Sequence, residues 1–433
     1  MKLLVISPDY MSHVVPMVQV ALEWKRQHDQ VVVATGEATR TFVEAAGLEW
    51  VELRLGRGSN SGVIRAEEQP DGEDDHLRAF FDATREGPVA TLRYQADARR
   101  HDLLHEPDRV LDRLTEILAD VQPDRVVVDH VAFGARLALF ALDVDAATMV
   151  LGHPSALPAP GEWYGLPPEW PASMVPARSD LSDLSMRCQE SVEDLRRSSQ
   201  ELIDRRAPGR GDVGDLTSTP GRPTIYVYPE ALHDPARPLP DGAVFVGALV
   251  RHEELGDVEL PTGDGPRVTV ALGSFLSARE DVLAVAVEAA RNGGWRLSLA
   301  YGSSDPSRLG RAPDGSLIRR HLPQVALLEH TDVLVHHGGN GSLTEAVAAG
   351  VPMLVLPFST DQFAAAAAVE RSGLGVVLAP NTVTASALAA AFDAALGSDA
   401  PDRARATAAS VASEGGASVA VEAIARVSTA VSG

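Results

Sequence analysis

The sequence predicts an α/β protein built from two doubly wound, parallel-sheet domains facing a cleft. Three observations predict it. Short Val/Leu/Ile runs alternate with helical patterns, the alternation occurs twice, and a polar Gly/Pro/Arg-rich stretch separates the two rounds.

In the first half the apolar runs are Lys2–Ser7, Gln30–Thr35, Arg125–Asp129 and Ala146–Val150. Each is too short for a helix and too uniformly apolar for a half-exposed strand, so each fits a parallel strand covered on both faces. Val14, Val18, Ala21 and Leu22 recur at helical spacing, which predicts a crossover helix over Val15–Gln27. The second round follows Arg205–Arg222, with strands expected at Thr224–Tyr228, Arg267–Leu272, Arg296–Ala300, Asp332–Val335 and Met353–Leu356. The expected division is therefore a first domain over 1–207, a linker over 208–222, a second domain over 223–405 and a helical tail over 406–433. That tail is free to cross back to the first domain.

Two segments interrupt the pattern. Arg57–Asp75 is polar and acidic and reads as a loop. Leu157–Val175 holds five prolines with Trp163, Tyr164 and Trp170, and fits either a hydrophobic wall for a ligand or a packed surface loop. No internal repeat of 20–50 residues is visible.

Bulk composition excludes several classes. The 433 residues carry a net charge of −22, the wrong sign for a phosphate backbone or an anionic membrane surface. One cysteine, Cys188, can form neither an internal disulfide nor a Cys-based zinc cage, and fits a reducing compartment. The opening MKLLVIS is too short for a signal-peptide core, and no apolar stretch approaches the ~20 residues that span a bilayer. A soluble, cytoplasmic protein is expected.

The most informative run is Asp332–Phe363. A strand ends at His336-His337, a glycine turn follows (Gly338, Gly339, Asn340, Gly341), and Ser342 opens a helix. Free backbone N–H groups at a helix start favour an anion, and glycines let a phosphate approach. The spacing is neither a Walker loop nor a dinucleotide fingerprint, since Thr344 stands where a third glycine belongs. Asp143-Val-Asp145 has the spacing of a divalent-cation pair, but it lies in the turn before Ala146–Val150, away from the strand ends that line a cleft. No metal is expected.

This run resembles the nucleotide-sugar signature of family 1 glycosyltransferases, the group that includes bacterial antibiotic and macrolide glycosyltransferases and plant UDP-glycosyltransferases. The matching residues are His337, the glycine turn, Ser342, Glu345, Gly350-Val-Pro352, Pro357 and Asp361-Gln362, preceded by Leu322-Pro323-Gln324-Val325-Ala326-Leu327-Leu328. The resemblance implies the GT-B fold, a UDP- or dTDP-sugar donor, a small-molecule acceptor and an inverting transfer. On the donor side it implies diphosphate contacts from His337, Gly339, Gly341, Ser342 and Ser274. It also implies nucleoside contacts from His321, Gln324, Val325 and Glu345, and sugar contacts from Asp361 and Gln362. His321 stands where an aromatic ring commonly stacks on the base.

In the first domain, Ser12-His13-Val14-Val15-Pro16 resembles the family's Gly-His-Val-x-Pro element, with Ser12 in place of the glycine. The resemblance makes His13 the general base and Asp129, at the end of a buried strand, its partner. Each also has a plainer reading, a solvated histidine and a helix cap. Phe80, Phe81, Trp163 and Tyr164 suggest a bulky acceptor, a cationic one if the chain's acidity is a guide. A homodimer is compatible with this reading. Two rivals share the fold: a nucleotide-sugar epimerase of the non-hydrolysing type, and a non-catalytic helper protein.

Overall fold

The computed structural model describes residues 1–28, 30–57, 73–251 and 258–427, without the side chains of residues 73, 74, 101, 102, 274 and 275. Most of the acidic segment expected as a loop over Arg57–Asp75 lies outside the described residues, and its last three residues already begin a helix.

The first sheet contains β1 (Lys2–Ile6), β2 (Gln30–Thr35), β3 (Glu49–Glu52), β4 (Arg125–Asp129), β5 (Ala147–Val150), β6 (Thr224–Tyr226) and β7 (Ala243–Phe245). They pair in parallel in the order β3-β2-β1-β4-β5-β6-β7. The second sheet contains β8 (Arg267–Ala271), β9 (Arg296–Ala300), β10 (Leu317–Arg319), β11 (Val333–His336), β12 (Met353–Val355) and β13 (Gly375–Val377). Its order is β10-β9-β8-β11-β12-β13, again parallel throughout. Val5, Val33 and Val127 are fully buried, as central strands sandwiched between helical layers require.

Helices cover both faces of each sheet. In the first lobe they are α1 (Met11–His28), α2 (Arg40–Ala45), α3 (Glu73–Glu86), α4 (Pro88–Asp102), α5 (Pro107–Val121), α6 (Phe133–Ala141) and α7 (Arg178–Arg206). The second lobe has α8 (Gly273–Leu276), α9 (Glu280–Gly293), α10 (Gln324–Leu328), α11 (Asn340–Ala349), α12 (Gln362–Ser372), α13 (Ala385–Gly397) and α14 (Ala400–Val411), and the chain closes with α15 (Gly416–Ala425). Among the described residues, no helix is long and apolar enough to cross a membrane.

The expected domain boundary is corrected by strand pairing. Thr224–Tyr226 does not open the second sheet; it extends the first, with Thr148 opposite Thr224 and Val150 opposite Tyr226. The polar 208–222 stretch leads from α7 back to β5, where the Gly221 N–H donates to Thr148 Oγ1 at 2.8 Å. Composition marks a loop there but carries no information about which sheet the loop rejoins. The chain passes to the second lobe only between β7 and β8.

The tail divides as well. α14 stays on the second lobe, whereas α15 lies against α1, burying Ala420, Val421 and Ile424 with Val14, Met17 and Trp24. Ser418 Oγ donates to Glu23 at 3.0 Å, and Arg125 Nε donates to the Ala425 carbonyl at 3.1 Å. A reciprocal crossing comes from α3, whose Phe80 and Phe81 are buried in the core of the second lobe with Leu276 and Leu283. Asn381 Nδ2 locks that contact by donating to the Thr84 carbonyl at 2.8 Å.

Candidate active site

In each lobe the strand order reverses direction beside the first strand, between β1 and β4 and between β8 and β11. The crevice beyond the carboxyl ends of such a pair is where open α/β sheets bind ligands. Here the two crevices face each other and enclose a cavity of about 420 Å³, lined by His13, His130 and Tyr164 from one lobe and His337, Gly341 and Asp361 from the other.

On the first lobe, α1 starts shortly after β1 and presents His13, while β4 ends on Asp129. His13 Nδ1 lies 2.7 Å from Asp129 Oδ2. The His13 side chain is 20% exposed and Asp129 is fully buried. Asp129 Oδ1 accepts from the Val131 N–H at 3.0 Å and lies 3.2 Å from His130 Nδ1. Burial alone would raise the Asp129 carboxyl, but the charge and hydrogen bond of His13, followed by those of His130, hold it far below the usual carboxylate range. For His13 burial works downward, yet Asp129 and then Asp361 outweigh it and raise the imidazole above its ordinary value. The ionised carboxylate accepts the Nδ1 proton, so Nε2 carries the lone pair.

On the second lobe, β11 ends on His336 and runs through His337 into the glycine turn and α11. Burial pushes His337 down to about 4, with the Ala271 carbonyl partly opposing, and pushes His336 down to about 3. His337 is therefore a neutral donor at neutral pH. Two glycines make room for its ring: a Cβ on Gly273 would lie 2.7 Å from the ring, and one on Gly339 would lie 2.2 Å from Nε2. Gly341 is different, because its missing Cβ faces open space at the start of α11. The first N–H groups of that helix have no intrahelical acceptor and no side-chain cap from Gly339.

A second cavity of about 440 Å³ continues from the first past Ser12, Gly341 and Ser342. Its far side carries His321, exposed at the mouth, and a network centred on Glu345. Glu345 Oε1 accepts from Arg251 Nη2 at 3.0 Å and Oε2 accepts from Gln324 Nε2 at 2.6 Å. Gln324 also reaches Ser342 Oγ at 3.2 Å.

Asp361 ties the lobes together. Its Oδ2 accepts from the His153 N–H at 2.9 Å, and Thr360 Oγ1 donates to Oδ1 at 3.1 Å. Thr360 has a φ of 51°, unfavourable for a β-branched residue, and the neighbouring loop is clamped by Gln362. Gln362 Oε1 accepts from the Phe358 and Ser359 N–H groups at 3.0 and 3.2 Å, and its amide nitrogen donates to Ser359 Oγ at 3.2 Å.

Several expected contacts are placed elsewhere. Phe80 and Phe81 belong to the second-lobe core and line neither cavity, because a paired aromatic face on α3 finds more apolar area there. Trp163 is half-buried beside the cavity without lining it, whereas Tyr164 does line it. Val325 is buried on the inner side of α10, since a β-branched side chain beside polar Gln324 turns toward the core. Gln362 lines the cavity but spends most of its amide on its own loop. The Ser274 side chain lies outside the described residues. Asp143 pairs with Arg210 at 2.7 Å at the amino end of β5, remote from the cleft.

The sequence reading missed His130, Arg99, Arg251 and Asn340, all cavity-lining. His130 was legible as Asp129's neighbour at a strand end. Arg99 and Arg251 carry no local motif, and Asn340, although it stands in the glycine turn, shows its role only across the lobes, where its Nδ2 donates to the Val227 carbonyl at 2.8 Å.

Comparison with known proteins adds independent support. Residues 299–428 match the model of the erythromycin biosynthesis protein CIII-like C-terminal domain. The chain is 27% identical over 294 residues to NDP-glycosyltransferase YjiC of Bacillus subtilis, covering 67% of this chain and 69% of that protein. It is 27% identical over 400 residues to the elloramycin glycosyltransferase ElmGT of Streptomyces olivaceus, covering 90% and 89%. The crystal structure of the glycosyltransferase of kitacinnamycin superposes with a TM-score of 0.71 at 24% identity, covering 98% of each chain. With two doubly wound lobes meeting on one cleft and relatives of this kind along its length, the chain has the GT-B fold and is similar to the family 1 glycosyltransferases.

Proposed function

We propose that the protein transfers a hexose from a UDP- or dTDP-sugar to a hydroxyl of a small-molecule natural product, with inversion at the anomeric carbon. The observation that carries this reading is the His13–Asp129 pair, at 2.7 Å, on the opposite wall of one cavity from the glycine turn of α11. The elloramycin and kitacinnamycin glycosyltransferases among its relatives support an antibiotic-like aglycone.

The acceptor hydroxyl meets His13 Nε2, which takes its proton as the oxygen attacks the anomeric carbon. The carbon–oxygen bond to the diphosphate breaks as the new glycosidic bond forms, and the nucleoside diphosphate departs with the bonding pair. Asp129 holds the ring in the right tautomer and stabilises the imidazolium that results. The α11 amino end and the His337 N–H receive the growing negative charge, where stabilisation counts most. Glu345 and Gln324 address the nucleoside, and Asp361 the sugar. A non-catalytic helper has no use for a buried carboxylate bracing a histidine in the cleft.

The test is product analysis by proton NMR, with UDP-glucose or dTDP-glucose and a panel of phenolic and polyketide hydroxyl acceptors. An α-linked donor should give a β-glycoside. An α-glycoside would overturn inversion, and an epimerised nucleotide sugar formed from donor alone would overturn transfer itself.

A further inference from the structure

Three arginines sit on α4, and two of them face carboxylates of α7. Arg93 reaches Asp183 and Asp180 at 2.6 and 3.1 Å, and Arg100 reaches Asp194 and Glu190 at 2.8 and 3.0 Å. Arg99 turns to the first cavity instead. Its Nη1 is buried and has no hydrogen-bond partner, and no ion pair is formed by it among the described residues. The lack is local, since the chain holds 60 Asp and Glu against 38 Lys and Arg. The two carboxylates that serve the cavity are already committed, Asp129 to His13 and Asp361 to the His153 N–H.

The guanidinium is also held in place. Its Cζ lies 5.2 Å from the centre of the Tyr164 ring, and Gly165 clears a space that a Cβ would fill 1.9 Å from Nη1. Gly165 has a φ of +89°, so the clearance and the turn are supplied by the same residue. Burial keeps the Tyr164 hydroxyl protonated despite the nearby guanidinium, and that hydroxyl makes no hydrogen bond among the described residues. The rest of the guanidinium fork, for which no hydrogen bond is formed among the described residues, and the Tyr164 hydroxyl thus share one end of the cavity. A buried donor left unpaired is costly, and a carboxylate is the ligand group that a guanidinium fork fits best.

We propose that the acceptor carries a carboxylate, which Arg99 and the Tyr164 hydroxyl hold while the acceptor's nucleophilic hydroxyl meets His13. This rests on the reading of the cavity as the acceptor site. It reverses the expectation of a cationic acceptor drawn from the net charge of −22. Bulk charge sets the distant field, but charges beyond about 8–10 Å are screened at ordinary salt, and the nearest ones decide recognition.

A matched probe pair tests it: a hydroxycoumarin carboxylate and the corresponding carboxamide, titrated by fluorescence into the full chain with UDP or dTDP present. The carboxylate should bind about tenfold more tightly than the amide, the size of one charge-assisted contact. Arg99→Gln should erase that ratio, Arg99→Lys should retain part of it, and Tyr164→Phe should reduce it by a few-fold. Equal binding of the two probes to the unaltered protein, no binding of either, or a ratio that survives Arg99→Gln overturns the proposal. Sugar transfer to both probes at equal efficiency would remove the anion site and leave the transferase reading standing. A clear preference for the carboxylate with no transfer from either donor would do the reverse.

Discussion

Each lobe brings a histidine from beside its switch point to the shared cavity, and the two lobes treat it in opposite ways. His13 follows β1 of the first sheet and His337 follows β11 of the second, each beside its sheet's switch point, and both face one cavity. His13 rests on a buried carboxylate and its proton affinity is raised. His337 lies against Gly273, Gly339, the Ala271 carbonyl and the His336 ring, and burial lowers its proton affinity to about 4. One imidazole is prepared to accept a proton; the other is kept neutral and offers a hydrogen bond. Position on the fold thus makes a residue available, and its nearest charges decide its chemistry.

Removing each ring is the strongest way to break that comparison. His13→Ala should lower kcat by roughly 10²- to 10⁴-fold while leaving the Kd for UDP or dTDP within about twofold. His337→Ala should instead weaken nucleotide binding by about tenfold, one hydrogen bond to a charged group, and lower kcat as well. Calorimetric titration and steady-state rates on both variants check the split. Equal losses of binding in the two variants would dissolve the distinction between the lobes.

Acidity should separate the rings more gently. A base must be deprotonated to act, so kcat/KM should fall as pH drops through a His13 value above the ordinary 6.5 or so, while Asp129 stays ionised across the range. His337, already neutral down to about 4, gives nucleotide binding no inflection of its own between pH 5.5 and 8, a window chosen to lie roughly above its titration. Asp129→Asn removes the charge that raises His13 and should move the acid limb downward while reducing the maximal rate. A limb that stays in place would detach the pH dependence from this pair.

The sequence exposed one lobe's site more fully than the other's. In the second lobe a single continuous run supplies His337, the glycine turn, Glu345 and Asp361, so the cradle could be read in order. In the first lobe the ends of β1 and β4 and the Tyr164 ring could be read, whereas the part of the wall on α4, far from them in the chain, could not. Arg99 shows why: α4 carries three arginines, and only tertiary packing distinguishes Arg99 from Arg93 and Arg100, which pair with α7. The aromatic pair Phe80-Phe81 misled for the same reason, since an apolar helix face fits a ligand wall or a neighbouring lobe equally well. The lobe boundary failed differently. β6 and β7 are three residues each, too short for periodicity to say which sheet they join.

The smallest effect should come from the opposite ends of the strands. Asp143-Val-Asp145 has the spacing of a cation pair, yet Asp143 stands at the amino end of β5 and Arg210 Nη1 occupies its Oδ1 at 2.7 Å. Its φ of 59° is one that asparagine adopts readily, so Asp143→Asn keeps the backbone and removes only the charge. The exposed ion pair contributes at most about 1 kcal/mol, which a thermal melt will register as a small shift. Transfer should change by less than twofold, and excess EDTA should leave both proteins equally active. If Asp143→Asn or the chelator stopped the reaction, the diphosphate would have to be neutralised by a cation. The helix end, the neutral His337 and the glycine turn would then no longer suffice as the anion cradle.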